Sequence, residues 1–293
     1  MNTNRPTNFK PSPVRQQARD RDRRAFTLME LLVVVVTLGI LALLLVPALA
    51  DTRPQSKAFQ CLNNMRQMAS AWTLYAEDNH DHLAINADPH AFIGGGGPTS
   101  WINGVLDWST GQQNTNTTYL VDDRHSLLGN YLGRSAKVFA CPATATFVSP
   151  PQRALGWSAR SHSVSMNAAV GDGAKFEQPG NPFGWTSWHV ARKSTDFHNP
   201  APSGVWVFAD EHPDSIDDAL MYVANYPVGS IIELPGSQHD GAGGIAFADG
   251  RAEIHKWQGT AARQSVRFVT RQQIPCPISD PDMLWLAQHT PQN

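Results

Sequence analysis

The longest apolar stretch of the chain covers residues 31–50, twenty positions without a charged side chain. As a helix it rises about 1.5 Å per residue, roughly 30 Å in all, which matches the hydrocarbon core of a bilayer. The pattern predicts a transmembrane helix that includes this run and covers residues 26–50. A different periodicity follows over residues 51–80. Ala58, Cys61, Leu62, Met65, Met68, Ala69, Trp72, Tyr75 and Ala76 recur at three- and four-residue spacing, with Asn63, Asn64, Arg66, Gln67 and Ser70 on other faces. That is the stripe of an amphipathic helix, and it needs a sheet to cover it. Pro54 has no backbone N–H to donate and is expected to interrupt the helix between the two segments.

Beyond residue 81 the periodicity shortens. Residues 82–118 and 179–198, rich in Gly, Asn, Thr and Pro, read as long loops holding Trp101, Trp108, Trp185 and Trp188. Residues 126–132 are expected to form a short helix, residues 138–141 a short strand stopped by Pro142, and residues 161–167 another strand. Residues 204–209 are apolar on both faces, as a central buried strand is, and run into Asp210-Glu211-His212. Residues 230–234 form a further strand. The sharpest local signal is Ile245-Ala246-Phe247-Ala248, Asp249-Gly250, Arg251-Ala252-Glu253-Ile254. It predicts a hairpin closed by a two-residue turn, with Ile245 opposite Ile254 and Phe247 opposite Ala252 on one apolar face. The elements add up to an α+β protein, a long N-terminal helix packed on a mainly antiparallel sheet with long loops.

Charge sets the direction of the chain. Arg5, Lys10, Arg15, Arg19, Arg21, Arg23 and Arg24 precede the apolar run against only Asp20 and Asp22, so the leader over residues 1–25 stays cytoplasmic and the domain over residues 81–293 lies outside. The net charge of -2 offers no electrostatic attraction to nucleic acid. With 21 prolines, 22 glycines and nine tryptophans, the outer part is a loop-rich domain around an aromatic core. The three cysteines, Cys61, Cys141 and Cys276, allow one disulfide outside the cytoplasm, with all three pairings open. There is no Cys-x-x-Cys spacing of the zinc type.

Glu30 stands out because a carboxylate at the start of an apolar helix is costly without a positive partner. A cut between Ala25 and Phe26 would create that partner, since the new amine of Phe26 could pair with Glu30 of a neighbouring subunit. Ala25-Phe26-Thr27-Leu28-Met29-Glu30 resembles the processing site of type IV prepilins and type II secretion pseudopilins, with Ala25 standing where such sites carry Gly. The resemblance implies a pilin-like fold, cleavage by a prepilin peptidase, N-methylation of Phe26, an inner-membrane stage with the domain in the periplasm, and assembly with other pilin-like subunits into a filament. Pro47 fits it, since such helices carry a proline at about this depth. Two other readings of the same stretch are ordinary secretion, with Ala48-Leu49-Ala50 before a cut at Asp51, and an uncleaved anchor.

His239, nine intervening residues and Asp249-Gly250 resemble the His-x9-Asp-Gly segment of prepilin-like proteins of planctomycete and verrucomicrobial bacteria. Cys61-Leu62-Asn63-Asn64-Met65-Arg66-Gln67 and Phe139-Ala140-Cys141-Pro142 are similar to the same group, and on that resemblance Cys61 and Cys141 are the preferred disulfide pair. Pseudopilins include calcium binders, and Asp210, Glu211, Asp240 and Asp249 could supply oxygens to calcium if their strand ends converge. A plainer assignment gives Asp249 to its turn and leaves the others solvated. No nucleophile sits in a recognised catalytic setting, so His239 as a general base has nothing to act on, and no enzymatic activity is expected. The expected function is a pseudopilin-like structural subunit of a type II secretion or type IV pilus-like filament. The alternative is a membrane-anchored or secreted periplasmic binding domain.

Overall fold

The computed structural model describes residues 27–87, 100–171, 189–223, 230–231, 233–270, 274–277 and 279–292, without the side chains of residues 42–56, Ser230 and Pro275. The leader, Ala25 and Phe26, and the loop tryptophans Trp185 and Trp188 lie outside the described residues. The chain divides into two compact units, residues 1–50 and 51–293.

Helix α1 (Leu28–Asp78) opens in the first unit. Thr27 and Glu30 cap it reciprocally. The Glu30 amide donates to Thr27 Oγ1 at 3.3 Å and the Thr27 amide donates to Glu30 Oε2 at 2.8 Å, so two amides without intrahelical partners are satisfied. Leu31, Leu32, Val33, Leu38 and Leu41 are all exposed. Among the described residues no helix is long and apolar enough to cross a membrane, so the span expected over residues 26–50 finds no support there. The interruption expected at Pro54 is absent as well, and α1 continues through it to Asp78. A proline removes one ladder bond and bends a helix without having to end it.

In the second unit the expected stripe is buried. Cys61, Met65, Met68, Ala69, Trp72 and Ala76 are covered, while Asn63, Arg66, Gln67 and Ser70 face solvent. What covers them is a mixed five-stranded sheet in the order β3-β1-β2-β5-β6. Its strands are β1 (Val164–Asn167), β2 (Trp206–Asp210), β3 (Leu220–Met221), β5 (Ala242–Phe247) and β6 (Ala252–Lys256). Pairs β1·β2, β2·β5 and β5·β6 are antiparallel and β1·β3 is parallel. A separate two-stranded ribbon joins β4 (Ser230–Ile231) to β7 (Ile274–Pro275).

The hairpin register corrects the sequence reading by one residue. Ile245 pairs with Glu253 and Ala246 with Ala252, so Ile245 does not face Ile254. The reason lies in the turn. Phe247 N donates to the carbonyl of Arg251 and Gly250 N to the carbonyl of Phe247, which makes a three-residue loop of Ala248, Asp249 and Gly250. Gly250 takes φ +86°, the left-handed position that such a loop requires. A slip of one residue exchanges the faces of a strand. The side toward α1 is therefore lined by Gly244, Ala246, Ala252 and Ile254, and the opposite side by Ile245 and Phe247. Both faces are covered, the second by Trp257 and by Leu286 and Trp285 of helix α4 (Pro281–Gln288), which starts on an Asp280 cap.

The remaining elements are short. They are α2 (Thr118–Val121), α3 (Pro150–Ala154) with a Ser149–Gln152 capping box, and several 3-10 turns. Two expectations fail here. Residues 126–132 form successive turns instead of a helix, held by Ser126 Oγ, which donates to the Trp101 carbonyl and accepts from the Gly129 amide. Residues 138–141 leave a 3-10 turn (Ala136–Phe139) instead of forming a strand, because the Cys141 amide donates to a side chain, Ser163 Oγ, in place of a neighbouring strand.

Candidate functional site

Between α1 and the sheet lies a buried cluster of two thiols and an imidazole. Helical spacing puts Cys61 on the covered stripe of α1, one turn before Met65. Gly244 on β5 makes room for it, since a Cβ there would stand 2.7 Å from Cys61 Sγ. Cys141 follows the 3-10 turn, its amide held by Ser163 Oγ at 2.8 Å. His239 sits in the tight turn that feeds β5, where its own amide donates to the Ala242 carbonyl at 3.0 Å and Asp240 and Gly241 adopt positive φ. Its Nε2 lies 3.1 Å from Cys141 Sγ. The Cys61 sulfur, the Cys141 sulfur and a His239 ring nitrogen all lie within 4.8 Å of one another, and the three residues are buried. All three cysteines of the chain are free thiols. Cys276 is elsewhere, 3.5 Å from the Met283 sulfur.

Asp210, at the end of β2, backs this cluster. Its Oδ1 accepts from Ser163 Oγ at 2.7 Å and its Oδ2 from Thr144 Oγ1 at 2.5 Å, so the hydroxyl that holds the Cys141 amide also holds this carboxyl. Burial pushes the Asp210 carboxyl well above its ordinary range, and the neighbouring Cys141 sulfur adds to the shift. The two thiols divide in opposite directions. At Cys141 burial favours the neutral thiol, but hydrogen bonds from Cys61 and His239 outweigh it and bring the group to about 4. Cys61 is raised, first because it donates to Cys141 and then by burial. The pair therefore shares one proton beside an imidazole.

The other expected site residues are scattered. Asp240 and Asp249 are both exposed and stand at opposite ends of β5, where Asp249 Oδ1 accepts from the Arg251 amide in the hairpin turn. Asp210 and Glu211 are consecutive on extended chain and point to opposite sides. Glu211 accepts from Ser165 Oγ and from Ser215 Oγ at 2.7 Å, away from the thiols. The four carboxylates thus do not converge as a calcium site requires. Of the His239, Asp249 and Gly250 motif only His239 reaches the cluster, while Asp249 and Gly250 build the turn. Glu30 belongs to the α1 cap, and Ala25 and Phe26 lie outside the described residues.

Sequence reasoning paired Cys61 with Cys141 but missed that His239 meets them, and missed Thr144 and Ser163 entirely. These residues come from four separate elements with no local spacing to connect them. The available signal was chemical, since His239 lies in a Gly-flanked turn that a packing role does not require.

No protein-family model matches the chain, and no solved structure matches it. Among curated proteins it is 33% identical over 85 residues to the type II secretion system core protein G of Pseudomonas aeruginosa, covering 28% of this chain and 60% of that protein. It is also 33% identical over 64 residues to the type II secretion system core protein G of Escherichia coli K12, covering 22% of this chain and 44% of that protein. The chain thus spans about half the length of these relatives, a partial likeness that relates it to the pseudopilin-like proteins.

Proposed function

We propose that this protein is a pseudopilin-like structural subunit. The observation that carries the reading is the likeness to two type II secretion core G proteins, each at 33% identity over part of its length. In this reading residues 26–50 hold the precursor in the inner membrane with its N-terminus cytoplasmic and its folded domain periplasmic. A prepilin peptidase removes residues 1–25 and methylates Phe26. The subunit then joins other pilin-like subunits in a type II secretion or type IV pilus-like filament, and its work is mechanical rather than catalytic. Glu30 at the start of α1 supports the reading, because pairing with the Phe26 amine of a neighbour gives its charge a partner once lipid is left behind.

The mature N-terminus, measured by mass spectrometry on protein from its native membrane, tests this. A methylated Phe26 is the expected result. A chain beginning at Asp51 would mean ordinary secretion and an intact leader would mean a permanent anchor, and either one overturns the filament role.

A further inference from the structure

We propose that Cys61, Cys141 and His239 form a zinc site that ties α1 to the sheet, with three protein ligands and the fourth tetrahedral position left to a water molecule. The inference does not depend on the filament role. Its first support is geometry. A tetrahedral zinc ion with sulfur ligands at about 2.3 Å and nitrogen at about 2.0 Å needs its donors roughly 3.5 to 4 Å apart. Three donor atoms already lie within 4.8 Å of one another, contributed by a helix, a loop and the turn before β5. Only small side-chain adjustments are needed to meet the ion.

The second support is the choice of donors. Two thiolates and a neutral imidazole are the soft and borderline set that selects zinc over calcium or magnesium, and two thiolates cancel the charge of a divalent ion, which burial demands. The third is the surrounding scaffold. Ser163 Oγ accepts from the Cys141 amide and donates to Asp210, which Thr144 also holds, so a buried outer network fixes the backbone that carries one ligating sulfur. Gly244 leaves the volume that the Cys61 sulfur occupies, as noted above.

A disulfide between Cys61 and Cys141 is the competing use of the same sulfurs. It would leave no purpose for His239 Nε2, which is turned onto Cys141 Sγ at 3.1 Å inside the protein. The two uses exclude each other, because a disulfide consumes both thiolates.

The test uses the full-length chain, purified in detergent without reductant and passed through a chelating resin. Metal content comes from inductively coupled plasma mass spectrometry, thiol state from intact mass, and ligand identity from cobalt substitution. The expected result is about one zinc per chain and, with cobalt, a thiolate-to-metal charge-transfer band. Cys141→Ser and His239→Ala should each lower occupancy at least tenfold, while Cys276→Ser leaves it unchanged. A chain lacking two hydrogens and holding no metal, or one with free thiols and no metal, overturns the proposal. So does zinc that survives in His239→Ala without loss. The cobalt spectrum of the unaltered protein decides the matter even if the variants fail to fold.

Discussion

The two faces of the β5–β6 hairpin are built on opposite plans. Toward α1 the hairpin presents Gly244, Ala246 and Ala252, with the larger Ile254 only partly buried, and the volume is supplied by the helix through Cys61, Met65 and Trp72. On the other side the strands supply bulk themselves, through Ile245 and Phe247 beside Trp206 of β2, and Trp257, Leu286 and Trp285 cover them. A helix can approach closely only where strand side chains are small, and that closeness lets a helix cysteine reach a loop cysteine and a turn histidine. On the other face Ile245 and Phe247 fill that space with their own side chains. One face is thus suited to a polar site and the other to bulk packing.

The contrast is broken most severely from the aromatic side. Trp257→Ala removes a fully buried ring and leaves the Gly236 carbonyl without the indole N–H that now donates to it at 2.8 Å. A loss of about 3–5 kcal/mol is expected in chemical denaturation.

A charge-based test comes next. Burial pushes Glu211 up to about 8, against the opposing hydrogen bonds of Ser165 and Ser215, from an ordinary value of 4.5. A carboxyl raised in the folded state stabilises most below its unfolded value. That contribution is lost as pH rises from 4.5 toward about 8. Glu211→Gln should flatten the fall in stability over that window, by up to about 5 kcal/mol at its upper end. An unchanged pH profile would place the titration elsewhere.

The finest test compares adjacent glycines on the two faces. Adding a methyl at Gly244 meets the Cys61 sulfur at 2.7 Å and Met65 atoms at 3.1 Å, whereas at Gly243 it meets the backbone of Gly236. Gly244→Ala should cost about 1–2 kcal/mol, since the Cys61 and Met65 side chains can both turn aside, and Gly243→Ala more, since the Gly236 carbonyl cannot. Equal melting temperatures for the two variants would remove the distinction between the faces.

Much of this arrangement was legible in the residues. The stripe from Ala58 to Ala76, the central strand ending at Asp210 and the hairpin around Asp249 all follow from periodicity and turn chemistry. The hairpin register did not, because Asp249-Gly250 fits either a two-residue turn or the last positions of a three-residue loop, and the two are separated by Asp249, which a two-residue type I′ turn holds at positive φ and which is not at positive φ here. The continuity of α1 through Pro54 did not either, because the missing N–H of one proline is visible in the residues and the hydrogen-bond ladder that carries the helix past it is not. The cluster at His239 was hidden for a different reason. Its members are brought together by strand pairing and helix packing, and no short pattern carries that information. Cys61 and Cys141 were connected only through resemblance.

Helix α4 has a consequence for the order of events during synthesis. Trp206 donates its indole N–H toward the Leu286 carbonyl and Thr290 Oγ1, and Phe247 packs edge-on against Trp285. Every strand of the main sheet precedes these partners in the chain. A nascent polypeptide emerging from a ribosome or a translocation channel therefore carries its finished strands with one aromatic surface bare until residues 281–290 arrive. During that interval a holding chaperone has a defined place to bind, and premature termination just before Pro281 would leave a sticky product prone to aggregation.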